Sequence, residues 1–287
     1  MLHKIAVLSD IHGNATALAA VLADAKQQAA TEFWTVGDIT VRGPEAERCM
    51  TLLDQVAPTA YVLGNHEQNY RKVLTATPAT FNQPKQIMAT ILTAYDRAQL
   101  STAHFEQLVH LPLTVTKQVG GLKIRLQHVL PNFASGHTLA PTEAQVNFDQ
   151  AATGDPDIVI YAHTHQPLMR YSTNGQVILN AGTVGLPTAV HPQLRQQRAM
   201  YLLLTFDDHG LLDIGYRQVP FDWQAAIRIA RDHQLPYLPF YEQTLVTGAY
   251  QYAPSAVAAY NEEHQLASQA AQILTDLQNG KINENQK

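Results

Sequence analysis

The stretch Lys4-Ile5-Ala6-Val7-Leu8-Ser9-Asp10-Ile11-His12-Gly13-Asn14 is a short apolar run that ends in polar residues, and residues 15–28 after it are Ala/Leu-rich and amphipathic. It reads as strand, loop and helix. The unit recurs. Residues 32–36 form a second apolar run ending in Gly37-Asp38, and a helix is expected after Gly43-Pro44, where Pro suits a first helical turn. Residues 60–63 form a third strand, which ends in Gly64-Asn65-His66-Glu67. Successive strands that deliver polar residues at their C-terminal ends mark the edge where open α/β sheets carry their sites.

Further along, residues 71–110 lose the strand signal, and Ile87, Ile91, Leu92 and Tyr95 fall at helical spacing. A helical insertion at about 71–112 is expected there, a candidate cap for the site. The β pattern returns in residues 113–119, turns at Gly120-Gly121, and runs through 122–127 to His128. Residues 157–161 form a buried strand ending in Ala162-His163-Thr164-His165, and hairpins follow at Asn174-Gly175 and near Asp208-His209-Gly210. From residue 222 the chain reads as helical, with an Ala-rich stretch over 255–277 and a polar tail over 279–287. The expected fold is α/β: two mixed β-sheets packed as a sandwich flanked by helices, with the helical cap insertion and a helical C-terminal segment. Residues 1–220 are expected to form the main domain and 221–287 an extension packed on it.

Composition narrows the function classes. The chain has 287 residues, 46% hydrophobic and 15% charged, enough for a buried core and unlike a disordered or fibrous sequence. Nineteen Lys and Arg against 24 Asp and Glu leave a net charge of −5, so no global positive field exists to hold nucleic acid or an anionic membrane. An anionic substrate must be gripped locally. Cys49 is the sole cysteine, which excludes an internal disulfide framework and suits a reducing compartment. The first residues lack the apolar stretch of a secretion signal and no later run is long enough to span a bilayer, so a cytoplasmic location and no membrane partner are expected.

The unusual number is 13 histidines. Asp10 and His12 can address one point only if the backbone leaves the β pattern between them, and His163 and His165 repeat that spacing at another strand end. Asp38, Asn65, His66 and His128 also follow apolar runs directly. Two carboxylates, an amide oxygen and several imidazoles, with no thiolate, form a donor set suited to Mn, Fe, Co, Ni or Zn. There are too many donors for one tetrahedral ion; seven with a bridging carboxylate suit two divalent or trivalent metal ions. The other eight histidines read as surface or satisfied residues, with His137 the one among them that could line a pocket. Cys49, Trp34, Tyr61 and Tyr161 read as core.

These motifs together resemble the calcineurin-like metallophosphoesterases, whose pattern is Asp-x-His, Gly-Asp, Gly-Asn-His-Asp/Glu, a lone His, and Gly-His-x-His. Here it reads Asp10-Ile11-His12, Gly37-Asp38, Gly64-Asn65-His66-Glu67, His128 and Ala162-His163-Thr164-His165, over roughly residues 4 to 190. The segment from Asn180 to Pro187 resembles the loop of bacterial members related to diadenosine tetraphosphatases, and Gly37 to Pro44 resembles the phosphoprotein phosphatase branch. Two departures are Ala162 for the usual Gly and Val129 for the Gly that commonly follows the lone His.

The resemblance implies that Asp10, His12 and His165 hold one metal and Asn65, His128 and His163 a second, with Asp38 bridging. It implies that His66 stands beside the leaving oxygen as general acid or charge stabiliser, and that Arg42 takes phosphate oxygens. The reaction expected is hydrolysis of a phosphate ester or anhydride by a metal-bridging hydroxide, with no covalent enzyme intermediate. A phosphorylated small molecule is the expected partner, a nucleotide polyphosphate such as diadenosine tetraphosphate above others, with nucleic acid disfavoured by charge. Phosphoprotein phosphatase and phosphodiesterase activities stay open, as does a homodimer through the Ala-rich helix. A non-catalytic scaffold on the same fold, as in the retromer subunit that resembles these enzymes, would have lost ligands; here the whole set is present.

Overall fold

The structure is a computed structural model and describes residues 2–279. Its first half alternates β1 (His3–Leu8), α1 (Ala15–Gln27), β2 (Glu32–Thr35), α2 (Ala46–Asp54) and β3 (Ala60–Tyr61), then runs through α3 (Asn65–Thr75), α4 (Pro84–Gln99) and α5 (Thr102–Val109). The second half contains β4 (Thr114–Val119), β5 (Leu122–Gln127), α6 (Gln145–Ala151), β6 (Ile158–Tyr161), β7 (Leu168–Tyr171), β8 (Val177–Asn180), β9 (Arg198–Asp207) and β10 (Gly210–Pro220). Helices α7 (Trp223–Asp232), α8 (Leu238–Thr247), α9 (Pro254–Glu263) and α10 (Leu266–Gln278) complete it. The polar tail expected at the end falls beyond Asn279, outside the described residues.

Two five-stranded sheets result, ordered β10-β9-β1-β2-β3 and β4-β5-β6-β8-β7. Both are mixed. The βα crossovers make β1, β2 and β3 parallel, while the hairpins at residues 172–176 and 208–209 add antiparallel strands at the edges. This is the sandwich the sequence predicts. The inner faces meet through Ile5, Val7, Trp34, Val62, Ile124, Ile158, Ile160, Leu202 and Leu204. Ala6 and Leu8 point the other way, into a core shared with α1, α2 and α4, so β1 is apolar on both faces. That explains its uninterrupted hydrophobic run. Burying each such Leu or Ile side chain contributes about 1.5–3 kcal/mol. Cys49, Trp34 and Tyr161 are buried as expected, whereas Tyr61 is only partly so.

Two expectations need correction. The helical region starts at Asn65, not near residue 71, because Gly64 begins α3 at the end of the third strand and its first turn carries the site residues. The Ala-rich stretch is two helices, broken where His264 ends α9 and Gln265 takes a left-handed φ of 53°. No helix among the described residues is long and apolar enough to cross a membrane.

His104, on α5, clamps that helix to α2. Its Nδ1 lies 2.9 Å from both carboxylate oxygens of Glu47 and its Nε2 lies 3.0 Å from Asp54 Oδ2. Against the opposing effect of partial burial, Glu47 and Asp54 raise the imidazole above its ordinary value of 6.5, and His104 helps lower Glu47 below 4.5. The imidazole's contribution to stability is full below its unfolded value and is lost as pH rises through the raised folded one. Glu47's contribution is lost as pH falls through its lowered value. His104→Ala should therefore destabilise the protein most between about pH 4.5 and 6.5 and least once the pH has passed the raised imidazole value, by roughly 1 kcal/mol at most because the cluster is partly in solvent. Urea titrations of both proteins across this range check the sign.

Candidate metal centre

The donors come together because the ends of β1, β2 and β6 leave the sheets through residues in the left-handed region. Asp10 has φ 49°, His12 50°, Asp38 53°, His163 72° and His165 60°. Non-glycine residues adopt this conformation uncommonly, and they concentrate at functional sites. The turn folds Asp10 and His12 toward one point with Ile11 buried between them, as the spacing demanded. Two glycines allow the loops to close up. A Cβ on Gly64 would lie 2.2 Å from Asp38 N and Oδ1, and one on Gly37 would lie 2.6 Å from Gly64 Cα.

Asp38 sits at the middle. Its Oδ1 accepts the His66 backbone N–H at 2.9 Å, in the first turn of α3, where a carboxylate also meets the positive end of the helix. This leaves Oδ2 3.3 Å from His128 Nε2 and 3.9 Å from both His12 Nε2 and His66 Nε2. On one side, Asp10 Oδ1 is 3.3 Å from His165 Nε2, which is 3.1 Å from His12 Nε2. On the other, Asn65 Oδ1 is 2.7 Å from His163 Nδ1 and 3.3 Å from His128 Nε2. The described residues thus contain groups Asp10/His12/His165 and Asp38/His128/His163 whose donor atoms lie within 4.8 Å of one another, and His66 joins His12 and Asp38 in a third. Every residue in the expected ligand set is at this point.

The donor orientations suit cations. His12, His128 and His165 each place Nδ1 against a backbone carbonyl, of Val41 (3.2 Å), Val36 (2.7 Å) and Leu186 (2.9 Å). An Nδ1–H donated there leaves the Nε2 lone pair aimed inward, the arrangement metal-ligating histidines use. Asp10 Oδ1 is buried without a hydrogen-bond partner. Burial pushes His163 down to about 4 and His66 to about 3, whereas Asp38 draws His128 up to about 9 against its own burial. A positive charge between His128 and Asp38 is favoured, and a metal ion can supply it in place of the proton.

Other residues set the loops. Glu67 is buried, and its carboxylate accepts the N–H groups of Asp38 (2.9 Å), Ile39 (2.8 Å), Thr40 (3.3 Å) and Gly64 (3.0 Å). Asp96 on α4 accepts the Val41 N–H at 2.9 Å and the Tyr70 hydroxyl, which also meets Thr40 Oγ1 at 2.7 Å. Thr183 Oγ1 and the Gly185 N–H both donate to the Asp10 carbonyl, at 2.9 and 3.0 Å. The Asn180–Pro187 segment singled out in the sequence therefore carries the loop that holds Asp10 and His165. Both departures from the family pattern are accommodated: Ala162 packs inside the sandwich, and Val129 is buried with Leu139 and Phe148, anchoring the loop that leads to His137.

A cavity of about 440 Å³ opens over the donors. Asp38, Asn65, His66, His163 and His165 form its floor, with walls from His137 to Pro141 on one loop and from Thr188 to Arg195 on another. His137 is a lining residue, as the sequence left open. No residue of 71–112 lines it, so the insertion does not cap this cavity; α4 instead supports the Val41-Arg42 loop from behind through Asp96. The remaining wall is Ala249 and Tyr250, just after α8. Arg42, at φ 80°, has its Cζ 4.5 Å from the Tyr252 ring centroid and 5.6 Å from that of Tyr250. Against the upward push of burial, Arg42 and Lys85 hold the Tyr250 phenol below its ordinary value. Sequence reading missed Glu67, Asp96, Tyr250 and Tyr252. Only Glu67 had a signal, its place in the Gly64-Asn65-His66-Glu67 motif.

This geometry agrees with the comparisons. Residues 3–209 match the calcineurin-like phosphoesterase superfamily domain, and the chain belongs to that family. It is a metal-dependent phosphoesterase, a hydrolase. It is similar to an uncharacterized protein, MJ0912, of Methanocaldococcus jannaschii, 27% identical over 183 residues, which cover 63% of this chain and 70% of that one. Among solved structures, a metallophosphoesterase from Sphaerobacter thermophilus shares the fold with TM-score 0.65 and 22% identity, over 86% of this chain and 100% of the other. The hypothetical protein PH1004 from Pyrococcus horikoshii OT3 does so with TM-score 0.69 and 19% identity, over 86% and 99%.

Glu67→Ala leaves up to four buried N–H groups without an acceptor. It should cost about 1–3 kcal/mol of stability and reduce metal retention after dialysis, while Glu67→Gln, which keeps an acceptor oxygen, should lose less. Chemical denaturation together with elemental analysis measures both effects.

Proposed function

We propose that the chain holds two metal ions, one at Asp10, His12 and His165 and one at Asn65, His128 and His163, with Asp38 between them, and that it hydrolyses phosphate esters or anhydrides there. The observation that carries this reading is the Asp38 carboxylate: one oxygen is fixed by the His66 N–H and the other stands among imidazoles of both groups. Bound in this place, such ions supply a water that ionises near neutral pH and positive charge for phosphoryl oxygens. Mn, Fe, Co, Ni and Zn all match the nitrogen and oxygen donors.

The chain's own groups do the rest. Arg42 lines the cavity beside the floor, and its planar fork binds two oxygens of a phosphoryl group. Tyr252 packs on its guanidinium and keeps it in place. His66 lines the cavity 3.9 Å from Asp38, and its buried Nδ1 has no protein partner. It serves the departing oxygen with a proton or a hydrogen bond. The favoured substrate is a nucleotide polyphosphate such as diadenosine tetraphosphate. In support, the chamber takes a group larger than one phosphate, and Arg195 adds a second guanidinium to its wall. Remote phosphates bound there raise turnover if their contacts strengthen in the transition state.

Asp38→Asn should abolish most activity with the fold retained, because charge compensation weakens at both ions at once; circular dichroism and turnover assays report the two properties separately. His66→Ala should keep near wild-type metal content and lose about 10²-fold in kcat, less with leaving groups of low pKa. Loss of a metal from that variant would instead make His66 a ligand. In a substrate panel with metal-reconstituted protein, a dinucleoside polyphosphate should show higher kcat/KM than a phosphoserine peptide or an aryl phosphate, and Arg42→Ala should harm all three. Faster hydrolysis of the peptide would make the protein a phosphoprotein phosphatase.

A further inference from the structure

We infer that Tyr250, contributed by the segment after α8, is the residue that receives the planar organic group of the substrate, a nucleobase or similar flat ring attached through its ester to the phosphate. The inference rests on the phosphoesterase reading of the metal centre and adds what the other end of the substrate must look like.

Position comes first. Tyr250 lines the same cavity as Asp38, Asn65, His66 and Arg42, and the Arg42 Cζ is 5.6 Å from its ring centroid. A phosphoryl group on the floor and on Arg42 therefore places its substituent next to Tyr250. Chemistry comes second. Tyr250 is 53% exposed although it sits in a cavity wall, so ring surface remains free for another group. Arg42 and Lys85, whose Nζ is 5.8 Å from the centroid, hold the ring by cation–π contact, which fixes its orientation before substrate arrives. The wall beside it offers apolar surface from Ala249, Ala189, Pro141 and Val190, the last 77% exposed, together with Arg195, whose guanidinium donates to the Ala189 and Val190 carbonyls. An exposed aromatic ring beside a phosphate-binding arginine is the pairing that recognises a flat ring carrying a phosphate.

The alternative is that Tyr250 only props Arg42. Tyr252 is better placed for that task, since it is 1% exposed and 4.5 Å from the guanidinium. A prop has no need of exposed surface.

Adenosine 5′-phosphate and ribose 5′-phosphate separate the two roles, because they share the scissile phosphate ester and differ in the base. Kinetic constants for both esters are measured on the full chain with metals restored, and calorimetry gives Kd for both. Tyr250→Ala should raise KM and Kd for the nucleotide by about 10-fold, with kcat within about twofold, and leave ribose 5′-phosphate unchanged; Tyr250→Phe should restore nucleotide binding. Equal losses for both esters would show that Tyr250 merely holds Arg42, and no loss for either would also overturn the inference. If metal-loaded protein cleaves neither ester, the assigned substrate scope is wrong, yet calorimetry still decides on Tyr250. Wild-type protein that binds the nucleotide no more tightly than the sugar phosphate overturns the inference in any case.

Discussion

The centre of this protein depends on how the Asp38 carboxylate is divided. Oδ1 is committed to the His66 N–H at the start of α3, so Oδ2 is left among the Nε2 atoms of His12, His66 and His128. A carboxylate buried this deeply is costly unless its charge is compensated, and the surrounding imidazoles compensate it only when a proton or a cation adds positive charge. The same geometry that makes the site unfavourable when bare makes it receptive to cations. Four N–H groups collected by Glu67 keep the Asp38 loop and Gly64 together, so the placement of one carboxylate depends on a second that never faces the cavity.

Holding five donors in the left-handed region opposes folding, and the sandwich behind them supplies the compensating stability. β1, β2 and β6 are short and almost wholly buried, so their ends cannot drift. Backbone bonds hold neighbouring strand ends within each sheet, Asp10 N to Gly37 O and His12 N to Asp38 O in one and Ala162 N to His128 O in the other, while Val184 N to Ser9 O and Gly185 N to Asp10 O tie the loop after β8 to the end of β1 and so link the two sheets at that edge. The ligands belong to both sheets, Asp10, His12 and Asp38 following strands of one and His128, His163 and His165 strands of the other. The site therefore exists only when the sheets are packed.

The helical parts have different tasks from those their sequence positions suggested. The helices after β3 lie behind the Val41-Arg42 loop and brace it through Asp96, Tyr70 and Thr40. The walls over the donors come instead from the loop after β5, the loop before β9 and the segment after α8. The Ala189 N–H donates to the Gly248 carbonyl at 3.0 Å, joining the last two pieces beside Arg195. Substrate-facing variation in such a fold belongs to connecting segments, while the donors stay on strand ends.

The sequence by itself determined the order of strands and helices in the first half, the mixed sandwich, and the donor set, because each donor directly follows an apolar run and strand ends share one edge. His137 and the Asn180–Pro187 segment were also visible, though their contacts were not. What only the tertiary structure decided are relations between residues far apart in the chain: the partition of the Asp38 oxygens, the brace by Asp96, and the tyrosines against Arg42 from about 210 positions later. Periodicity could show that residues 71–112 were helical but not which side of the site they would occupy. A local pattern reports whether a residue will be buried and in what kind of element; where an element docks depends on the shape of surfaces that exist only after the sheets have met.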